Sequence, residues 1–122
     1  MVTGSRMLDK KKAIKGGVPL YKFIGNIVLT KLFNFICKTN FTDAHTGLWG
    51  YDLNIFKYIN LNKIDSAYNF DSHLRICAIN YKFKINEIPI ETFYRSESSN
   101  YHIKYSLNFL KHLTSYILGT KL

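Results

Sequence analysis

The sequence predicts an α/β domain with few strands flanked by amphipathic helices, and three observations carry that expectation. Hydrophobic residues make up 47% of the chain and aromatics 16%, enough to pack a core and too much for a disordered segment. Short strand-like stretches open the chain and return at residues 82–93, with helical periodicity between and after them. At 122 residues the chain has room for one modest domain and not two.

Met1 to Ser5 reads as a short strand ending in Gly4-Ser5-Arg6. Leu8 to Gly17 (LDKKKAIKGG) is basic and glycine-terminated, which predicts an exposed loop with Lys10, Lys11, Lys12 and Lys15 as a solvated face. Pro19 then opens a helix, since its missing N–H is harmless in a first turn. Polar Lys22, Asn26, Thr30, Asn34 and Lys38 recur every four residues, opposite Ile24, Ile27, Val28, Leu32, Phe35 and Ile36. The pattern fits an ordinary helix burying its apolar stripe in a core; the alternative is a basic amphipathic helix lying on a membrane.

The chain is organised around Asn40 to Tyr51, NFTDAHTGLWGY. Asp43, His45, Thr46, Gly47 and Trp49 are poor core material, yet apolar runs flank them on both sides. A polar, glycine-containing loop between apolar elements is a common home for binding and catalytic groups. Gly47 invites a backbone turn with positive φ. The competing reading is an ordinary turn in which Asp43 caps a helix and Trp49 fills the core.

Beyond the loop, Asp52 is placed to cap a short helix through about Tyr58. Asn60 to Ala67 reads as a connection. Tyr68 to Asn80 reads as a helix, capped by Asn69 or Asp71, with Leu74, Cys77 and Ala78 inward. Lys82 to Phe93 reads as a strand bent at Pro89, which argues for a sheet edge or a bulge there. Tyr94 to Asn100 is a polar loop, and Tyr101 to Leu118 a second amphipathic helix. In that helix Tyr105, Phe109, Leu113 and Tyr116 oppose Lys104, Asn108, Lys111 and His112.

Lys and Arg number 17 against 8 acidic residues, a formal charge of +9. That surplus favours anionic partners without choosing among nucleic acid, membrane and phosphorylated small molecules. Cys37 and Cys77 lie in apolar helical patterns and read as buried thiols, although a disulfide is also open; no Cys/His spacing points to zinc. The N-terminus lacks the apolar run of a signal peptide, and no stretch reaches about 18 uninterrupted apolar residues.

Five segments, in order, resemble the second half of a family-2 glycosyltransferase: VTGSRM, GGVPLYKFIGNIVLTKLFN, TDAHTGLWGY, NFDSHLRI and INEIPIETFYRSESSN. They are most similar to the dolichyl-phosphate mannosyltransferases and related polyprenyl-phosphate sugar transferases. The resemblance implies residues 1–122 to be one partial domain: the C-terminal, acceptor-side part of a Rossmann-like GT-A domain. Such an enzyme transfers sugar, with inversion, from a nucleotide-sugar to a polyprenyl phosphate at the cytoplasmic face of the membrane.

By the same resemblance Asp43 is the catalytic acid ahead of the Ser/Thr-Gly pair. It acts as base toward a hydroxyl acceptor, or orients the acceptor or metal when the acceptor is an ionised phosphate. Arg6 matches a phosphate-contacting arginine. His45, Thr46, Gly47, Trp49 and Arg95 complete the substrate-binding set with Glu97, Ser98 and Ser99, the last three matching a loop that closes over the site.

The chain departs from the family in three places. Trp49 stands where many members carry arginine, and His73 ends a segment that the family ends in Glu. No Asp-x-Asp motif occurs, so the Mg²⁺ or Mn²⁺ expected of the whole domain has no ligand motif here. The nucleotide-binding half is absent from this sequence, and a separate chain is one source for it. The alternative is a non-catalytic module for a membrane surface or polyprenyl phosphate. A nucleic-acid binder fits the charge, but no helix-turn-helix, zinc-finger or RNP-type motif supports it. A half sheet with an open edge predicts poor solubility or oligomerisation.

Overall fold

A computed structural model describes residues 1–60, 62, 70–94, 106–111 and 113–114. Helices and a small three-stranded sheet make up the fold, in keeping with the α/β class. The chain forms two compact units, one of Met1–Tyr51 with Lys84–Glu97, the other of Asp52–Phe83 with Ser98–Leu122.

In the first unit, strand β1 (Val2–Ser5) lies at the centre of the sheet. It pairs antiparallel with β2 (Trp49–Gly50) and parallel with β3 (Asn86–Pro89), in the order β2-β1-β3. β2, a two-residue strand inside the central loop, was not foreseen. β3 is shorter than the alternation at 82–93 predicts and sits at the sheet edge. Asn86 and Ile90 donate their N–H groups to Met1 and Ser5, so the two-residue period turns the ring nitrogen of Pro89 away from β1. Pro89 therefore removes no ladder bond.

Residues 10–15 correct the expected loop: they form helix α1 (Lys10–Lys15). Asp9 caps it by accepting from the Lys12 N–H at 3.1 Å, and the lysines, good helix formers, remain exposed. The Gly16-Gly17 pair ends it for two reasons. Gly17 has φ of +78°, and a Cβ on Gly16 would lie 2.1 Å from the Thr92 carbonyl oxygen. That close approach lets Tyr94 donate its N–H to the Gly16 carbonyl at 3.0 Å.

Helix α2 (Leu20–Cys37) begins after Pro19, as expected, but it does not bury the apolar stripe that a core-facing helix would bury. Thr30, Phe33 and Cys37 are buried, and Asn26 and Asn34 share their side, whereas Leu20, Ile24, Val28, Leu32 and Phe35 are exposed. Phe33 is 0% exposed and Phe35 84%. The cause is the loop packed beneath the helix, which carries a carboxylate and main-chain groups that burial requires to be hydrogen-bonded. Polar side chains one turn apart meet that need, and an apolar stripe would not. α2 is long and apolar enough to cross a membrane by length and composition (mean hydropathy 1.3), although its inner face carries Asn26, Thr30 and Asn34 beside Phe33 and Cys37.

In the second unit Asp52 accepts from the Asn54 N–H at 2.9 Å and caps a 3-10 helix, Leu53–Lys57, as its position predicts. Helix α3 (Phe70–Asn80) buries Leu74 and Ala78 as expected, and also Ser72, His73, Arg75 and Ile76. Cys77 is half-buried rather than buried, Cys37 is buried, and neither is joined in a disulfide. Burial raises the Cys77 thiol pKa, so the thiolate is disfavoured. Residues 106–111 are helical, with Phe109 and Leu113 buried. The rest of the predicted helix at 101–118, the connection at 61 and 63–67, and the Asn69 cap lie outside the described residues.

Candidate functional site

The site is built where β1 ends. In an open α/β sheet, the carboxyl ends of parallel strands are where ligands are bound. β1 and β3 run parallel, and their carboxyl ends deliver Arg6 and, a few residues on, Tyr94. Residues 39–46 pass alongside, fastened to α2. Asn34 donates its amide to the Phe41 carbonyl at 2.8 Å, and its side-chain oxygen accepts from the Phe41 N–H at 2.9 Å and the Thr39 hydroxyl at 2.8 Å. One turn earlier, Thr30 donates its hydroxyl to Asn26 at 2.9 Å and accepts the Ala44 N–H at 3.1 Å. The four-residue polar spacing is the means by which the helix grips the loop.

Asp43 is thereby held fully buried and saturated with donors. Its Oδ2 accepts from the Arg6 Nε at 2.6 Å and the Arg6 main-chain N–H at 3.2 Å; its Oδ1 accepts from Arg6 Nη2 at 2.9 Å, Asn26 Nδ2 at 2.9 Å and the His45 N–H at 3.1 Å. Burial alone pushes the Asp43 carboxyl up, but the hydrogen bonds and charge of Arg6, with help from Asn26, outweigh it and hold the group below 3.8. Arg6 shows the converse. Burial lowers its pKa, the hydrogen bond and charge of Asp43 more than offset this, and the guanidinium stays charged.

The remaining Arg6 nitrogen, Nη1, donates to the Tyr94 hydroxyl at 3.1 Å. Lys22 Nζ stands 5.6 Å from the centroid of the same ring, a second cation beside the pair. The Arg6 side chain keeps 20% of its surface exposed, so the pair is open to solvent on the arginine side only.

No family model matches this chain, and no solved structure matches it. A protein of Methanocaldococcus jannaschii described as uncharacterized is 32% identical over 98 residues. The matched region is 80% of this chain and 40% of that protein, so the chain spans less than half the length of this relative.

Of the residues singled out in the sequence, Arg6 and Asp43 meet directly, and His45 joins them through its main-chain N–H to Asp43. Thr46 is buried, and its hydroxyl accepts the Leu48 N–H at 3.3 Å. Gly47 is exposed, and among the described residues the glycine with positive φ is Gly17, so the turn at Gly47 does without left-handed backbone. Trp49 is half-buried in an aromatic row: stacked on Tyr51 at 5.8 Å, edge-on to Phe41 at 6.4 Å, with Phe41 against Phe33 at 6.0 Å. Its indole N–H donates to the Thr46 carbonyl at 3.2 Å, so the row braces the loop. Arg95, Glu97, Ser98 and Ser99 lie outside the described residues.

Asn26, Thr30, Asn34, Thr42, Glu87 and Tyr94 were not singled out for the site. The four-residue polar spacing on α2 is visible in the sequence, but spacing alone does not say that this stripe faces the loop. No group of three or more His, Cys, Asp or Glu side chains gathers for a metal among the described residues. The donor set at Asp43 does not fit a divalent cation, because both oxygens already accept N–H groups and a guanidinium occupies the position a metal would need.

Proposed function

We propose that this chain is the acceptor-side part of a family-2 glycosyltransferase, similar to the polyprenyl-phosphate sugar transferases and built on a Rossmann-like GT-A domain. The observation that carries the reading is convergence. Four of the five resembling segments send side chains to one cluster: Arg6 from the first, Asn26 from the second, Asp43 from the third, Tyr94 from the last. An isolated sequence likeness has no need to gather its parts at the carboxyl end of parallel strands.

In this reading the acceptor phosphate is drawn to Arg6, with Lys22 nearby. A phosphate oxygen forms the new bond to the anomeric carbon from the face opposite the departing nucleoside diphosphate, which inverts that centre. An ionised phosphate needs no proton removed. That suits Asp43, whose low pKa and saturated oxygens make it a poor base and a good orienter of Arg6. The nucleotide-sugar, and the Mg²⁺ or Mn²⁺ that accompanies it, would be held from outside these residues.

The exposed apolar arc of α2 supports a peripheral place at the cytoplasmic membrane face. Leu20, Ile24, Val28 and Phe35 lie on it beside Lys31, and α1 adds exposed lysines. The saturation of Asp43 also favours the second reading, a non-catalytic module that holds polyprenyl phosphate at an anionic bilayer.

Transfer of labelled sugar from nucleotide-sugars to a polyprenyl phosphate tests the proposal. The chain alone should transfer nothing, the chain supplied with a nucleotide-binding half should transfer, and Asp43→Asn should remove most of that activity. No transfer in combination, with lipid phosphate still bound, would favour the second reading.

A further inference from the structure

Glu87 takes no part in the cluster itself, yet the main chain that carries Asp43 ends on it. Its carboxylate accepts the Thr42 N–H at 2.9 Å to each oxygen, the Thr42 hydroxyl at 2.9 Å and the Asp43 N–H at 3.2 Å. A carboxylate at neutral pH only accepts, so the Thr42 hydroxyl proton points to Glu87. The Thr42 oxygen, 2.6 Å from Ser5 Oγ, is therefore the acceptor of the Ser5 hydroxyl. Ser5 Oγ in turn accepts the Met7 and Leu8 N–H groups, each at 3.2 Å.

One directed chain results: main chain beyond Arg6, to Ser5, to Thr42, to Glu87. Chains of this kind polarise along their length, and an ionised terminal acceptor strengthens each link. Ser5 precedes Arg6 and Thr42 precedes Asp43, so the chain grips both partners of the ion pair by their backbones. The geometry points to Glu87 as the positioning residue that presets the Arg6–Asp43 pair from the neighbouring strand. This inference deepens the proposed function and rests on it for the pair's importance.

The charged and polar groups facing Asp43 are Arg6 from the end of β1, Asn26 from α2, Glu87 from β3 through the loop backbone, and Tyr94 through Arg6. Their signs make a decisive test possible. Removing the negative charge of Glu87 by electrostatics alone lowers the Asp43 pKa, whereas loosening the loop weakens the Arg6 contact and raises it.

The experiment follows the Asp43 carboxyl carbon by NMR across a pH titration in wild type, Glu87→Gln and Thr42→Val. Thr42→Val breaks the chain while keeping the Glu87 charge, and it carries the test if Glu87→Gln does not fold. A rise in the Asp43 midpoint in the variants upholds positioning. An unchanged or lowered midpoint, even with a reduced melting temperature, overturns it. No substrate is present, so a rise combined with no binding of lipid phosphate would sink the transferase reading and leave the role of Glu87 intact.

Discussion

Arg6 and Asp43, 37 residues apart in sequence, meet through a fork: Nε to Oδ2 at 2.6 Å and Nη2 to Oδ1 at 2.9 Å. Each group keeps the other charged, and neither is replaceable by a residue of like charge and different shape. Asp43→Asn should cost about 3 kcal/mol of unfolding free energy, the low end for a broken buried pair because Arg6 is partly exposed. Arg6→Lys keeps the charge, loses the two-pronged geometry, and should restore little. Urea denaturation of the two variants measures both.

The pH dependence follows from the same pair. The folded Asp43 pKa lies below the ordinary 3.8, so the stability it contributes is fully present above that value and is lost as pH falls through the folded pKa. The difference in stability between wild type and Asp43→Asn should therefore stay level from neutral pH to about 5 and shrink only at pH below about 4. A difference that declined between pH 7 and 5 would contradict a depressed carboxyl. Denaturant midpoints taken across that range decide it.

Lys38 ends α2 in the left-handed region, with φ of 53° and ψ of 50°, and donates its N–H to the Asn34 carbonyl. That conformation costs a residue with a Cβ roughly 1–2 kcal/mol and costs glycine little. Lys38→Gly should stabilise the protein by about 1 kcal/mol after the entropy glycine adds to the unfolded chain. Loss of stability would mean the Lys38 side chain has a role that its cap geometry does not account for.

The two faces of α2 should respond oppositely to mutation. Asn34→Ala leaves the Phe41 main chain unpaired on both sides and should cost about 1–3 kcal/mol. Phe35→Ser should change stability by less than about 0.5 kcal/mol, because the side chain is already in water. The same substitution should weaken sedimentation with anionic phospholipid vesicles. Equal destabilisation by the two variants would return the apolar face to the core.

Much of this was legible in the sequence, and what was missed has a common physical cause. VTGS as a strand, Pro19 as a helix start and Asp52 as a cap are decided within a few residues, and each held. The α1 helix is hidden in the sequence because a lysine run reads as solvated charge; its local signal is Asp9, which caps it. The orientation of α2 was lost because periodicity gives a stripe without saying what lies beneath it. Here the layer beneath is polar. Arg6 and Asp43 were found through their motifs, whereas Glu87 and Tyr94 join the site through contacts spanning 45 and 88 residues, beyond any local pattern.

We propose that the Arg6–Asp43 pair marks the phosphate site for a polyprenyl-phosphate acceptor. The most direct test is an NMR titration of the isotopically labelled chain with farnesyl phosphate, using farnesol and inorganic phosphate as comparisons. Farnesyl phosphate should give saturable shifts at the Arg6 Nε–H and at the amides of Thr46 and Gly47, with weak shifts for phosphate, none at these positions for farnesol, and loss of the response in Arg6→Gln. Shifts confined to the α2 surface, or the same response in Arg6→Gln, would contradict the proposal.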